Sequence, residues 1–339
     1  MTNAAANATE TETETEKINL DSEFKHTRPL TSCIWDPQDR YVFFGAEDNL
    51  VHRYDPNLKT SISFTAHDSW VRAMAVSIKG DWLVTGGYDG RLAWWPAAAE
   101  IPEAIRVVDA HQGWIRALSI SPDGATIATC GNDRLVKLWS VDDGKLIREL
   151  KGHESHVYNV SFTPDGKDLV SCDLKGVLKA WDLLNDSAMR DIAKIEALHK
   201  YDTTFRADIG GARCIGFRAD GVQLAIGGMT NVTNAFAGVG EIAVALVDWR
   251  QGTLVQFLES KEKIRGAAWG VAFHPAGFWI GLAGGGGGGW LYYWKGDVPN
   301  EFFKLKLKNE GRGMSLAVDN QRIAVAHADA HLRIYRIQS

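Results

Sequence analysis

A histidine followed 28 residues later by a tryptophan occurs three times in this chain, at nearly equal intervals. Successive histidines from His26 onwards are 41, 44 and 42 residues apart. A fixed period of this length indicates a repeat architecture, in which each unit buries its core against its neighbours. The pairs are His67 and Trp95, His111 and Trp139, and His153 and Trp181, and His26 and Tyr54 have the same separation.

Each unit between two histidines contains four short apolar segments separated by turns. The first turn reads SPDG (121–124) or TPDG (163–166), where Pro and Gly favour the backbone angles of a turn. The second turn carries Asp89 or Asp133, six residues before the tryptophan. The chain has 34 Gly and 13 Trp and almost no helical apolar pattern, which favours short strands joined by tight turns. Each repeat unit is therefore predicted to form one four-stranded sheet.

This pattern resembles that of WD40-repeat proteins, whose repeats of about 40–45 residues each form one four-stranded blade of a β-propeller. The resemblance covers residues 18–339, is strongest in the second to fourth units, and implies an all-β, seven-bladed propeller. In the family, a His, a Ser or Thr, an Asp and a Trp of one blade form a hydrogen-bonded tetrad. The fourth unit has Lys175 at the Asp position, so we expect its tetrad to be incomplete. The matching residues are His67, Thr85, Asp89 and Trp95, and then His111, Thr129, Asp133 and Trp139.

The two ends of the repeat region predict how the ring closes. The last repeat stops after its third strand, LRIYRIQS (332–339), whereas residues 18–25 precede His26 as outer strands precede the other histidines. We expect residues 18–25 to supply the missing outer strand, so that 18–339 form a single propeller domain. Residues 1–17, with four Glu and one Lys, predict a disordered acidic tail that adds nothing to stability.

Irregular segments are concentrated in the loops at one end of the ring. The tetrad His and Asp lie in two different loops, and because they bond to each other, both loops emerge at the same end. The fifth blade has enlarged segments there, at 185–211 and 228–241, with His199 as a possible counterpart of the tetrad histidine. We expect 187–198 to form a short helix or a lengthened outer strand, and the six glycines at 284–289 to be flexible backbone. Such loops are where function concentrates, although neutral drift in loop length is an open alternative.

Arginine and aromatic residues are predicted to surround the mouth of the central channel. In the family, the first-strand positions beside the apolar residue that follows the histidine face this opening, where partners are often bound. Trp and Arg dominate interface energetics, and Arg pairs with carboxylate or phosphate. Alternatively, the tryptophans fill gaps between blades and the arginines are solvated or paired within the ring. The candidate partner-binding residues are Trp70, Arg72, Tyr88, Trp114, Arg116, Tyr158, Arg213, Trp269 and Arg312.

The resemblance and these residues predict a non-catalytic scaffold that binds a protein or peptide partner through an acidic or aromatic segment. We expect a cytoplasmic monomer with no cofactor, no bound metal and no membrane association. A net charge of −5 gives no electrostatic case for nucleic acid, and four cysteines without a CxxC motif fit a reducing compartment.

Two other functions stay open. The first is a propeller enzyme of the hydrolase or lactonase type, for which His327, Asp329 and His331 are the candidate local cluster, although Asp329 is better explained as a turn residue. The second is a binder of an anionic ligand, with the arginines of the same face holding phosphate.

Overall fold

The structure, a computed structural model, describes residues 17–186, 188–234 and 239–338. These residues form seven four-stranded antiparallel sheets, one two-stranded hairpin and one short 3-10 helix. The prediction of an all-β, seven-bladed propeller is confirmed. No helix among the described residues is long and apolar enough to cross a lipid bilayer.

The strands are numbered in chain order from β1 (Lys17–Lys25), and the first four blades follow it. The first blade contains β2 (Leu30–Trp35), β3 (Val42–Ala46), β4 (Val51–Asp55) and β5 (Thr60–Phe64). The second contains β6 (Val71–Val76), β7 (Trp82–Gly87), β8 (Arg91–Pro96) and β9 (Arg106–Asp109). The third contains β10 (Ile115–Ile120), β11 (Thr126–Gly131), β12 (Leu135–Ser140) and β13 (Leu146–Lys151). The fourth contains β14 (Val157–Phe162), β15 (Asp168–Asp173), β16 (Val177–Asp182) and β17 (Ala188–Lys194).

The remaining strands form an inserted hairpin and three further blades. A 3-10 helix (Glu196–Leu198) leads into the hairpin of β18 (His199–Asp202) and β19 (Ala207–Gly210). The fifth blade contains β20 (Cys214–Phe217), β21 (Gln223–Asn234), β22 (Val239–Asp248) and β23 (Thr253–Leu258). The sixth contains β24 (Ala267–His274), β25 (Phe278–Gly285), β26 (Gly288–Trp294) and β27 (Phe303–Lys306). The seventh contains β28 (Gly311–Leu316), β29 (Arg322–His327), β30 (His331–Gln338) and β1.

The first strand of each blade lies innermost and contacts the first strands of its two neighbours. These contacts run in order from β2 through β6, β10, β14, β20, β24 and β28, and β28 also contacts β2. The second strands β3 and β7 are buried along nearly their whole length because both of their faces pack against adjacent blades, whereas the outer strand β13 is mostly exposed. The core therefore lies between blades, and the inner strands surround a central channel.

The outer strand of the seventh blade comes from the other end of the chain. β1 pairs antiparallel with β30, so that Ile18 lies opposite Ile337. Both isoleucines are buried in one apolar cluster, and Glu23 forms an ion pair of 3.1 Å with Arg333. This strand begins at Lys17, one residue before the predicted boundary, and residues 1–16 of the predicted tail lie outside the described residues.

The enlarged segments of the fifth unit are mostly regular structure. Residues Ala188–Lys194 form the outer strand of the fourth blade, and the short helix in this segment is the single 3-10 turn at Glu196–Leu198. The segment 228–241 extends β21 and β22 into a long hairpin, with Met229 paired with Ile242. Residues 235–238 of that segment lie outside the described residues. Both segments add hairpins beside the fifth blade.

The expectation that residues 284–289 are flexible backbone is wrong. Gly284 pairs with Gly289 and Gly285 with Gly288, so most of the run belongs to β25 and β26. A Cβ atom on Gly284 would lie 2.1 Å from the carbonyl oxygen of Gly311, and one on Gly289 would lie 2.1 Å from that of Asn309. Glycine is required here because the backbone of the seventh blade approaches closely, as happens where strands lack side chains.

Candidate functional site

Two blades contain a hydrogen-bonded chain of His, Thr, Asp and Trp. In the second blade, Nδ1 of His67 lies 3.2 Å from both carboxylate oxygens of Asp89, and Nε2 lies 2.8 Å from Oγ1 of Thr85. The indole of Trp95 donates to the same Thr85 oxygen at 3.1 Å. The third blade repeats this with His111, whose Nδ1 and Nε2 lie 2.9 Å from Asp133 and 2.7 Å from Thr129, and Trp139 donates to Thr129 at 2.9 Å.

The direction of each hydrogen bond follows from what the end groups can do. An indole only donates and an ionised carboxylate only accepts, so the threonine hydroxyl accepts from the indole and donates to Nε2 of the histidine. Nδ1 then carries the proton that is donated to the aspartate. Burial alone would raise the pKa of Asp89, but hydrogen bonds from His67 and from backbone N–H groups outweigh it and lower the pKa to about 2. The arrangement is a fully paired structural network with no free nucleophile.

The expectation of an incomplete tetrad in the fourth blade is wrong. Nδ1 of His153 lies 3.1 Å from Oδ2 of Asp173, and Nε2 lies 2.7 Å from Oγ of Ser171, which accepts from Trp181 at 2.9 Å. Asp173 is the last residue of β15, two positions before Lys175. A carboxylate at the end of the second strand can reach the tetrad histidine just as one in the following turn does. The presence of an acid at the strand end is the sequence signal that could have predicted this network.

The first blade builds a different network around Asp48. Nε2 of His26 lies 2.9 Å from Oδ2 of Asp48, and Nε2 of His52 lies 3.1 Å from the same oxygen. Phe44 stands at the position of the tetrad threonine and stacks on His52 at 4.8 Å between ring centres. In the described part of the chain, His26, Asp48 and His52 are the residues whose ligand atoms come close enough together to hold a metal ion. The 28-residue spacing did not reveal His52.

The last three blades depart further from the tetrad. His199 bonds to Asp208 within the β18–β19 hairpin at 2.7 Å. The Trp249 indole donates to the carbonyl of Gly221 at 2.8 Å. In the seventh blade Asp329 lies 2.8 Å from Arg333 and 3.2 Å from His331, whereas Nδ1 of His327 lies 3.0 Å from the carbonyl oxygen of Asn309. The cluster considered for an enzyme is therefore divided between two sets of partners.

Five of the nine predicted channel residues form one aromatic and cationic group, here named the mouth cluster. Its members are Trp70, Tyr88, Trp114, Arg116 and Tyr158. Tyr88 and Trp114 are stacked, with ring centres 4.2 Å apart and planes within 1°, and Trp70 lies 6.4 Å from Tyr88. The Arg116 guanidinium lies 4.6 Å from the Trp114 ring centre and 4.4 Å from that of Tyr158.

The two tryptophans of the mouth cluster are exposed, whereas its tyrosines and Arg116 are half-buried. Trp70 and Trp114 retain 40% and 42% of their accessible surface. Tyr88 lies in the β7–β8 turn and Trp70 directly before β6, so the cluster is at the tetrad end of the ring. Nε of Arg116 donates to Oδ1 of Asn132 at 2.8 Å, which fixes the guanidinium against the rings. Trp114 of the third blade thus packs on Tyr88 of the second blade, while both tryptophans keep a large exposed surface.

Three further predicted residues, Arg72, Arg213 and Trp269, lie in the channel and are here named the channel cluster. The guanidinium carbons of Arg72 and Arg213 lie 4.7 and 4.5 Å from the ring centre of Trp269. The Trp269 indole donates to the carbonyl of Gly284 at 3.2 Å. Both arginines are therefore positioned by one ring that is itself fixed to the sixth blade.

The ninth predicted residue, Arg312, has a different environment. Its guanidinium forms an ion pair of 2.7 Å with Glu47 and lies 3.8 Å from Glu310. Its backbone carbonyl accepts a hydrogen bond of 3.2 Å from Arg72. The side chain of Arg312 is thus already paired within the ring, and its carbonyl helps to hold Arg72.

Two cavities adjoin these clusters and a third lies away from them. The channel holds a cavity of about 220 Å³, and a groove of about 680 Å³ runs along the third and fourth blades past Asn132 and His156. The third cavity, of about 510 Å³, lies beside the long fifth-blade hairpin and is lined by Glu241, Glu259 and Lys261 among others. Its lining carries both signs of charge, as does that of the groove, whereas the charged residues that line the channel cavity are all arginines.

Together, the sevenfold ring and its tetrads define a repeat propeller that presents an arginine and aromatic surface at one end. A family model described as WD domain, G-beta repeat matches residues 58–95, 102–140 and 144–182. These three matched repeats and the seven-bladed ring support assignment of the chain to the WD40-repeat propeller family. A comparison with curated proteins found no match. Propellers of this family are commonly protein-interaction scaffolds and are usually non-catalytic.

Proposed function

We propose that this protein is a non-catalytic WD40 scaffold that binds a protein partner at the mouth cluster. The observation that carries the proposal is the stacked pair of Tyr88 and Trp114, with the exposed Trp70 beside it and Arg116 against it. The rings of Tyr88 and Trp114 are parallel to within 1°, and Trp114 is 42% exposed. Together they present a large, rigid apolar surface to solvent. Such residues lose little conformational entropy on binding, and Trp, Tyr and Arg are the types enriched at interface hot spots.

The chemistry of this surface favours an acidic or aromatic segment of the partner. Arg116 contacts ring faces on two sides, at 4.6 Å from Trp114 and 4.4 Å from Tyr158. Its terminal N–H groups have no hydrogen-bond partner among the described residues and are available to a carboxylate. An aromatic side chain would pack against the exposed ring of Trp70 beside the stacked pair of Tyr88 and Trp114. The adjoining groove of about 680 Å³ offers room for the flanking backbone of such a segment.

A cytoplasmic monomer is the form that we propose for the scaffold. The four cysteines are free and buried, and burial raises the pKa of the Cys33 and Cys214 thiols to about 12. Thiols of this kind are unreactive packing groups, which fits a protein kept in a reducing compartment.

The test is a comparison of proteins captured from a cell extract by the wild type and by a Trp70→Ala, Trp114→Ala variant. Both tryptophans are exposed, so circular dichroism should show an unchanged fold. We expect a partner captured by the wild type to be reduced about tenfold or more, because truncating a hot-spot tryptophan costs about 2 kcal/mol or more. Affinities are then measured with the purified partner by calorimetry.

The matched control is Ile78→Ala with Leu184→Ala. These residues are 47% and 71% exposed and lie in turns at the opposite end of the ring. The control should capture the same partner as the wild type. Equal capture by the Trp70 and Trp114 variant would remove the mouth cluster from the binding site and direct attention to the fifth-blade hairpins.

A further inference from the structure

Positive charge inside the channel is not compensated by the protein. The cavity of about 220 Å³ is lined by Arg72, Arg116, Arg213 and Arg312 and by no carboxylate. Arg312 is neutralised by Glu47 at 2.7 Å. For the other three, no Asp or Glu oxygen among the described residues lies within the 4.0 Å of an ion pair. Three guanidiniums thus share one cavity without a counter-ion from the chain.

The electrostatic cost of this arrangement is visible in the arginines themselves. Burial lowers the pKa of Arg72, Tyr88 opposes this, and repulsion from Arg213, Arg312 and Arg116 lowers the pKa further. Burial likewise lowers the pKa of Arg213, with Tyr158 opposing the effect and Arg116 adding to it. Arginine stays charged in proteins, so these directions indicate an unfavourable field that an anion would relieve.

Two polar atoms on the cavity wall also lack partners. Nε of Arg213 and Oγ of Ser32 are buried and form no hydrogen bond with the described residues, and both residues line the cavity. Buried donors are nearly always paired in folded proteins, and a bound ion or an ordered water is one explanation for those that are not. Both donors belong to the same space as the three unpaired guanidiniums.

We propose that the channel binds one phosphate group between Arg72, Arg116 and Arg213, with the Ser32 hydroxyl as a further donor. A phosphate monoester carries about −1.5 to −2 charges at neutral pH and three acceptor oxygens, a better match to three guanidiniums than a single carboxylate. The cavity of about 220 Å³ exceeds the roughly 30 Å³ of a liquid water several times over, so it has room for the group and for bound water.

This site shares Arg116 with the mouth cluster, but phosphate binding there does not rest on protein docking at the mouth cluster. The mouth cluster is a surface of exposed rings, whereas the phosphate site lies deeper, around Trp269. The phosphate is either a free ion or the modified side chain of a partner that enters from the mouth. The two sources share the same chemistry and are separated by the experiment.

The test is calorimetric titration of the full chain with inorganic phosphate at constant ionic strength, alongside acetate as the carboxylate probe. We expect saturable binding of phosphate that is tighter than that of acetate. In an Arg72→Gln, Arg213→Gln variant the affinity should fall at least about tenfold, because charge-assisted hydrogen bonds to the anion are lost. A capped phosphoserine peptide and its serine counterpart are titrated in parallel.

The matched control is Arg190→Gln. Arg190 also lies over a tryptophan, 5.3 Å from the ring centre of Trp249, but it is exposed on the outer strand of the fourth blade. The Arg190→Gln variant should bind phosphate like the wild type. Thermal melts without phosphate show whether the channel variant is folded, and Arg72→Lys, which keeps the charge, should retain part of the affinity.

Each outcome decides the proposal. No saturable binding of phosphate or of the phosphoserine peptide by the wild type would overturn it, as would equal affinities in the wild type and the folded channel variant, or a preference for acetate. Binding of inorganic phosphate alone assigns the site to a free ion, and binding of the phosphoserine peptide in competition with phosphate assigns it to a partner. If the Trp70→Ala, Trp114→Ala variant captured the same partner as the wild type, the proposal for the mouth cluster would fail. The results of the phosphate titrations would stand unchanged.

Discussion

Nδ1 of His153 lies 3.1 Å from the carboxylate of Asp173, although Asp173 ends a strand and is not a residue of the turn that follows. The same carboxylate accepts the backbone N–H groups of Lys175 and Val177 at 2.9 and 3.0 Å. One acid therefore serves both the histidine and the turn, which explains how the fourth blade keeps its network with a lysine at the usual aspartate position.

Asp173→Ala should destabilise the protein by about 1–3 kcal/mol, because it leaves a buried imidazole N–H and two backbone N–H groups without acceptors. Lys175→Ala is the matched change and should stay within about 0.5 kcal/mol, since the Lys175 side chain is 43% exposed and pairs with Asp208 only at 3.6 Å. Urea denaturation measures both. A larger cost for Lys175→Ala than for Asp173→Ala would reject this assignment.

The tetrad threonines offer a second test of the networks. Thr129→Val keeps the shape of the side chain and removes the oxygen that accepts from Trp139 at 2.9 Å and contacts His111 at 2.7 Å. We expect a loss of about 1–3 kcal/mol in the free energy of unfolding. Thr126→Val, on the same strand but with a hydroxyl that has no partner among the described residues, should cost little in the same urea experiment. Equal losses of unfolding free energy in the two variants would show that the Thr129 hydroxyl contributes no more to stability than the Thr126 hydroxyl.

Protonation of His327 should destabilise the seventh blade in mild acid. Burial lowers the pKa of His327 to about 4, and Arg333 adds to this, while the carbonyl of Asn309 opposes it. The unfolded-state pKa is about 6.5, so the folded state binds this proton less readily. The contribution of neutral His327 to the free energy of unfolding is therefore fully present above about pH 6.5. It is lost as the pH falls towards 4, and the loss amounts to up to about 3 kcal/mol.

The check is the free energy of unfolding of the wild type and His327→Gln measured by urea at pH 7, 6, 5 and 4. The curve of the variant should be flatter across this range, whatever its stability at pH 7. His274→Gln serves as the control, because His274 is only partly buried and bonds to a surface carbonyl at 2.8 Å. An unchanged slope in His327→Gln would show that other groups account for the acid sensitivity.

Removing β1 should open the ring. A chain that starts at Lys17 should match the full chain in thermal stability, as the acidic composition of residues 1–16 predicts. A chain that starts at His26 loses the burial of Ile18 and the ion pair of Glu23 with Arg333 and leaves β30 as a free edge. We expect a loss of at least about 3 kcal/mol and a tendency to aggregate, measured by thermal melts and light scattering. Equal melting of the two truncated chains would refute the role of β1.

The sequence predicted the fold well where the repeat is regular. The spacing of His67 and His111 to their tryptophans locates strands, turns and tetrads because each of these groups depends on short-range geometry within one blade. The role of Asp173 was not predicted, because a hydrogen bond fixes the position of a carboxylate in space but not the residue that provides it. His52 was missed because its partner Asp48 is shared with His26.

Other features depended on contacts between blades. The glycines at 284 and 289 are in strands because the carbonyls of Gly311 and Asn309 lie where side chains would be, and no local pattern carries that information. The same applies to the division of the predicted channel residues. Only the packing of inner strands shows that Arg312 is paired with Glu47, whereas Arg72 and Arg213 meet at Trp269.

The pairing of Lys25 with His331 has a consequence for synthesis of the protein. On the ribosome, β1 emerges first, but its partner β30 is made about 300 residues later. At roughly 5–20 residues per second this strand waits about 15 to 60 s with its apolar face uncovered. Six blades can form in order as they emerge, whereas the seventh can form only after translation of His331–Gln338. The seventh blade is therefore completed last, and the burial of Ile18 waits until the end of the chain has been made.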